Sequence, residues 1–202
     1  MEQAVPFVGL TGGMGAGKST ALAALERLGA AVLSSDAVVH ELYGEEQLRD
    51  AVVGRWGPAI APGGVVDRSA VAEHAFASEE DRRWLEGMLW PLVGARVGVW
   101  LGEVRGGSAG GQPRPRAAVV ETPLLFESGL EGVYDATIAV ISEEQVRRER
   151  AGRRGHALAD ERAARQLPQE EKARRATFVV RNDGTEEDLE RALSAVLDKL
   201  SG

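Results

Sequence analysis

Residues Gly12 to Ser19 read Gly-Gly-Met-Gly-Ala-Gly-Lys-Ser, and they restrict the fold more than any other stretch of the chain. They fit the pattern G-x-x-x-x-G-K-S/T. The short apolar run Val5 to Leu10 precedes them and reads as a buried strand. After them, Ala21, Leu22, Leu25 and Leu28 recur at helical spacing, and Gly29 supplies a stop. Ala31 to Leu33 reads as a second strand. Strand, helix and strand in that order form a βαβ unit, which commits the strands to a parallel sheet. The glycines let the backbone curl until successive N–H groups face one anion, and the following helix aims the positive end of its dipole at the same point. Gly13, Gly15, Ala16, Gly17, Lys18, Ser19 and Thr20 are therefore candidate phosphate contacts. The Lys18 ammonium suits the β- and γ-phosphates of a nucleotide, and the Ser19 hydroxyl suits Mg²⁺.

The use of basic residues sharpens this reading. Of 24 basic side chains only Lys18, Lys172 and Lys199 are lysine. A lysine in the loop of so arginine-rich a chain indicates a place that needs a compact ammonium rather than a planar guanidinium. The 202 residues, 44% of them hydrophobic, suit one compact domain with a sizeable core. The net charge of −7 argues against generic binding to nucleic acid or a membrane surface. The absence of cysteine removes disulfides and thiolate metal sites. No stretch approaches the roughly 20 apolar residues of a bilayer span, and Met1 to Leu10 has no basic leader, so a cytoplasmic protein is expected.

Further along, Asp36 to Val104 is mostly helical in pattern, with turn signals at Gly57-Pro58 and Pro62-Gly63-Gly64. Three of the four tryptophans fall between Trp84 and Trp100, where packing of helices is their expected role. Gly106 to Pro115 reads as a surface connector. Ala117 to Val120, Thr137 to Ile141 and Thr177 to Val180 complete an expected five-stranded parallel sheet in an α/β fold. Helices are expected at Glu143 to Arg150 and at Glu186 to Leu200, the second with an N-cap pattern in Thr185 and Asp188.

Other residues carry chemistry less specifically. Asp36 follows the second strand, and strand C-termini of such sheets face the ligand crevice. Its carboxylate suits either proton transfer from an acceptor hydroxyl or the N-cap of a helix from Ala37 to Tyr43. His40 lies one helical turn later. Glu121 ends a strand where a Mg²⁺-associated acid often stands, and Glu127 follows six residues on. Ten of the 24 basic residues crowd between Arg147 and Arg175. They suit a lid that closes arginines over a triphosphate, or a solvated helix pair partnered by Glu149, Glu161 and Glu170.

From about Val8 to Leu197 the chain resembles the dephospho-CoA kinase family. The resemblance rests on the loop after Val8, on Asp36 with His40, on Pro123-Leu124-Leu125-Phe126-Glu127, on Arg162 with Gln166, and on Asn182-Asp183-Gly184. It implies a P-loop kinase core (about 1–36 and 116–202), a helical acceptor-binding lobe (about 37–104) and a small lid (about 147–166). It further implies Mg²⁺ and ATP as cofactors and dephospho-CoA as acceptor. A monomer, at most weakly self-associating, is expected. Asp36 and Lys18 would be catalytic. Arg147, Arg150, Arg154, Asn182 and Gly184 would join the loop in holding ATP, and Asp36, His40, Leu124 and Phe126 would meet the acceptor. Two positions depart from the family pattern: Ser34 where an aspartate is usual, and Trp90-Pro91 where His-Pro is frequent. The alternatives are a kinase of nucleoside monophosphates or shikimate, and a non-catalytic nucleotide-binding switch. Against the switch, no Asn-Lys-x-Asp guanine signature is present.

Overall fold

The computed structural model describes residues 4–107, 113–152 and 166–201. They form two compact units, one from residues up to Ser34 together with Leu101 onward, the other from Ser35 to Trp100.

The first unit is built on a five-stranded parallel sheet in the order β2-β3-β1-β4-β5. The strands are β1 (Phe7–Gly12), β2 (Ala31–Ser34), β3 (Ala118–Glu121), β4 (Ala136–Ile141) and β5 (Phe178–Arg181). β1, β3 and β4 are buried along their whole length, which is why they read as continuous apolar runs rather than as alternating ones. The expected strand at Val5 to Leu10 is displaced toward the loop. Thr11 and Gly12 look like loop residues locally, yet they still pair with Ala139 and Val140 of β4.

Helix α1 (Lys18–Arg27) covers one face of the sheet beside α8 (Glu186–Ser201). Leu25 of α1, Leu189, Leu193 and Leu197 of α8, and Val8, Leu10, Val119 and Ile138 of the strands form one core. Gly29 ends α1 with a positive φ of 91°, as its place after Leu28 suggested. Thr185 and Asp188 form the expected cap: Asp188 N–H donates to Thr185 Oγ1 at 3.2 Å, and Thr185 N–H donates to Asp188 Oδ2 at 3.1 Å. Helix α6 (Glu144–Gly152) follows β4, and α7 (Gln169–Arg175) packs against β4 and β1.

The second unit holds α2 (Ser35–Leu42), α3 (Glu46–Trp56), α4 (Arg68–Ala77) and most of α5 (Glu79–Gly106), whose last turns belong to the first unit. The two turn signals become short 3₁₀ turns at Pro58–Ile60 and Pro62–Gly64. Asp67 caps α4 by accepting from Ser69 N–H at 2.9 Å and Ala70 N–H at 3.3 Å. Trp56 stacks on His74 and meets Trp84 edge-on, while Arg55 lies over the Trp84 ring and grips Asp81. Trp84 thus packs helices as expected. Trp90 does not: it is 54% exposed.

Candidate active site

The loop between β1 and α1 is shaped from three sides. Gly17 adopts a φ of 91°, and a Cβ there would lie 2.1 Å from the amide nitrogen of Asn182. Gly15 adopts a φ of 75°, and its Cβ would lie 2.6 Å from the carbonyl oxygen of Arg147. Both positions therefore exclude side chains by conformation and by space. Asn182, buried at the end of β5, donates its side-chain amide to Ala16 O at 2.8 Å. Its own carbonyl accepts from Arg150 at 3.0 Å. Lys18 reaches back along the loop and donates to the carbonyls of Gly12 and Gly13 at 3.1 and 3.2 Å. Ser19 and Thr20 stand in the first turn of α1, with Ser19 exposed.

Two cavities flank this loop. One, of about 190 Å³, is lined by Gly13, Met14, Arg147 and residues 166–170. The other, of about 220 Å³, is lined by Gly15, Gly17, Thr20, Arg150, Asn182, Gly184 and Glu186. The residues named from sequence for the nucleotide are thereby brought together, from the loop, from α6 and from the turn after β5. Arg154 and most of the basic stretch named as a lid, including Arg162 and Glu161, lie outside the described residues.

The acceptor-side residues are drawn from both units. Leu124 is half-buried, but Phe126 is 3% exposed, with the Arg175 guanidinium 4.9 Å above its ring. The aromatic surface of Phe126 is thus engaged in packing. Asp36 and His40 are both exposed and sit one turn apart on α2 of the second unit. Since α2 begins at Ser35, Asp36 lies inside its first turn, not at the cap position of a helix beginning at Ala37. Glu121 is buried at the end of β3, in register with Leu10 and Ser34.

Sequence reasoning left Glu127 ambiguous and overlooked Lys172 as a site residue. Lys172 is fully buried, with Nζ 2.9 Å from Glu127 Oε1 and 2.7 Å from Pro123 O. Burial pushes its pKa down, opposed by the Glu127 carboxylate. A signal was available: Lys172 is one of three lysines in this chain and, like Lys18, marks a place that needs a compact ammonium. Gln169 was also missed. Its amide copies a backbone pairing, accepting from Ser142 N–H at 3.1 Å and donating to Ser142 O at 2.8 Å.

Comparison with known proteins agrees with this geometry. The family model described as dephospho-CoA kinase matches residues 6–188. A dephospho-CoA kinase of Thermus thermophilus is 41% identical over 97% of this chain and 92% of its own. That of Anaeromyxobacter dehalogenans is 38% identical over 96% and 92%. A solved structure of a Thermus thermophilus protein superposes with a TM-score of 0.79 at 34% identity, covering 99% of this chain and all of that one.

Proposed function

The chain belongs to the dephospho-CoA kinase family, and from that premise we propose that it transfers the γ-phosphoryl group of ATP to the ribose 3′-hydroxyl of dephospho-CoA, giving ADP and coenzyme A. The observation that carries the proposal is the loop itself: glycines at 15 and 17 that admit no side chain, a lysine at its end, and a helix starting there. Such transfer depends chiefly on positioning and on stabilising charge. The loop N–H groups and the start of α1 hold the β-phosphate. Lys18, which donates to Gly12 O and Gly13 O, exchanges those carbonyls for phosphate oxygens in this reading. Arg147 and Arg150, on the walls of the two cavities, add positive charge beside the loop.

The exposed Ser19 hydroxyl at the helix start fits a Mg²⁺ ligand, with the phosphates supplying further oxygens. When bound, Mg²⁺ would neutralise charge on the β- and γ-phosphates. The turn after β5, with Asn182 and Gly184, lines the cavity suited to the rest of the nucleotide. The unit from Ser35 to Trp100 serves the acceptor. Within it Asp36 orients the ribose hydroxyl and takes its proton, with His40 beside it. Leu124 is assigned to the acceptor as well.

Among the described residues no helix is long and apolar enough to cross a membrane. The cytoplasm, which supplies ATP as a free metabolite, is the proposed place of the reaction. The test is release of the nucleoside diphosphate, ADP from ATP or GDP from GTP, measured with dephospho-CoA, a nucleoside monophosphate and shikimate as acceptors. Dephospho-CoA with ATP is expected to dominate. Preference for either other acceptor refutes the proposal.

A further inference from the structure

Lys172 lies outside the phosphate loop, yet every group it touches belongs to a segment that shapes the loop's surroundings. Its ammonium donates to Pro123 O at 2.7 Å, pairs with Glu127 Oε1 at 2.9 Å and approaches Thr11 Oγ1 at 3.5 Å. Thr11, near the end of β1 before the loop, donates in addition to Pro123 O at 3.2 Å. Glu127 Oε1 accepts a second bond, from Leu167 N–H at 2.7 Å. Leu167, Pro168 and Gln169 then form one wall of the cavity whose opposite side is Gly13 and Met14. A Cβ at Gly13 would meet Gln169 Cβ at 3.7 Å, so this wall and the loop are already in near contact.

A buried ion pair is a poor way to gain stability alone, because desolvation of both charges consumes most of the attraction. Here the pair does what an apolar contact cannot. One ammonium has three directional donors, and they fix a carbonyl after β3, a hydroxyl on β1 and a carboxylate that fixes the cavity wall. A guanidinium is larger and planar and would not occupy the same fully buried point. We propose that Lys172 and Glu127 are positioning residues for phosphoryl transfer, setting the spacing between the phosphate loop and the wall at residues 167–169. They touch no reacting atom. They act through Thr11 and Leu167. Displacements of about 1 Å in such a frame can cost on the order of 100-fold in rate.

The inference rests on the kinase reading above, and the experiment separates the two. The double variant Lys172→Met with Glu127→Leu replaces the pair by apolar groups of similar size, which a buried site tolerates in stability. Because Leu167 N–H loses its acceptor, the melting temperature is expected to fall by a few degrees with the fold kept, while turnover at saturating ATP falls about tenfold or more. Glu127→Gln alone keeps an oxygen for both Leu167 N–H and Lys172, and is expected to retain most of the turnover. Wild-type turnover in a folded double variant overturns the inference. If the double variant fails to fold, Glu127→Gln and Glu127→Ala decide it: equal turnover in both overturns the positioning role, whereas loss only in Glu127→Ala upholds it. Absence of dephospho-CoA-dependent ADP release in the wild type would instead defeat the kinase reading.

Discussion

The side-chain amide of Asn182 donates to the carbonyl oxygen of Ala16 across 2.8 Å, joining the end of β5 to the loop before α1. Gly17 is the residue that leaves room for this bond, since any Cβ there would fall on the same amide nitrogen.

Gly17→Ala is accordingly expected to displace Asn182 and strain the backbone at a φ of 91°. Leaving a buried amide and carbonyl without partners costs about 1–3 kcal/mol. The melting temperature should fall by several degrees, and the rise in melting temperature on adding ATP should vanish. Gly54→Ala, in the exposed interior of α3 with no atom near its Cβ, should instead stabilise by about 0.5–1 kcal/mol. Thermal melts with and without ATP check both.

Lys18→Met keeps the stem and removes the charge at the transferring phosphates. Loss of one such donor typically lowers turnover about 10²–10³-fold. Lys18→Arg should fail nearly as badly, because the planar group does not fit a place shaped for an ammonium between the Gly12 and Gly13 carbonyls. Steady-state turnover beside circular dichroism would reveal either outcome; near wild-type rates in both variants would exclude the phosphate role.

Asp36→Asn should bind ATP as the wild type does and lose about 100-fold in turnover, the lower end of general-base contributions. Asp36 is exposed in the first turn of α2, so the change removes only a small favourable interaction with the helix dipole. The melting temperature should scarcely move. Full turnover in this variant would leave the chain without its proposed base.

Asp81 provides a pH test in the second unit. Its hydrogen bond to Arg55 holds its carboxyl below the usual range. A folded-state pKa below the unfolded one means that the stabilisation is present above the unfolded value and is lost as pH falls through the folded one. Wild type and Asp81→Asn should therefore differ in stability at neutral pH and converge below about pH 4. Urea melts at a series of pH values would show the convergence, and a constant difference down to about pH 2 would refute it.

What could be read from the chain beforehand was local. The phosphate loop, the α1 stop at Gly29 and the Thr185–Asp188 cap each depend on residues within a few positions of one another. The parallel sheet was legible for the same reason, through its apolar runs. The features that escaped depend on partners distant in sequence. Thr11 and Gly12 belong to β1 only because β4 continues beside them. Phe126 packs beneath the guanidinium of Arg175, which comes much later in the chain, and Trp90 is exposed. The Lys172–Glu127 pair spans α7 and the segment after β3, and no periodicity marks either end.

The strand order has a consequence for how the site comes into being. β1 and the phosphate loop lie near the beginning of the chain, but β1 is flanked by β3 and β4, whose residues begin at Ala118 and Ala136. Its neighbours must cross a long stretch of chain to reach it, and closure of such loops is what slows folding. The segment from Ser35 to Trp100, by contrast, is one continuous and mostly helical stretch of chain. During synthesis this helical unit can therefore take shape while the loop made first is still unsupported. Asn182, which braces that loop, emerges later still. The phosphate loop is therefore fully braced only once the residue that follows β5 has joined it.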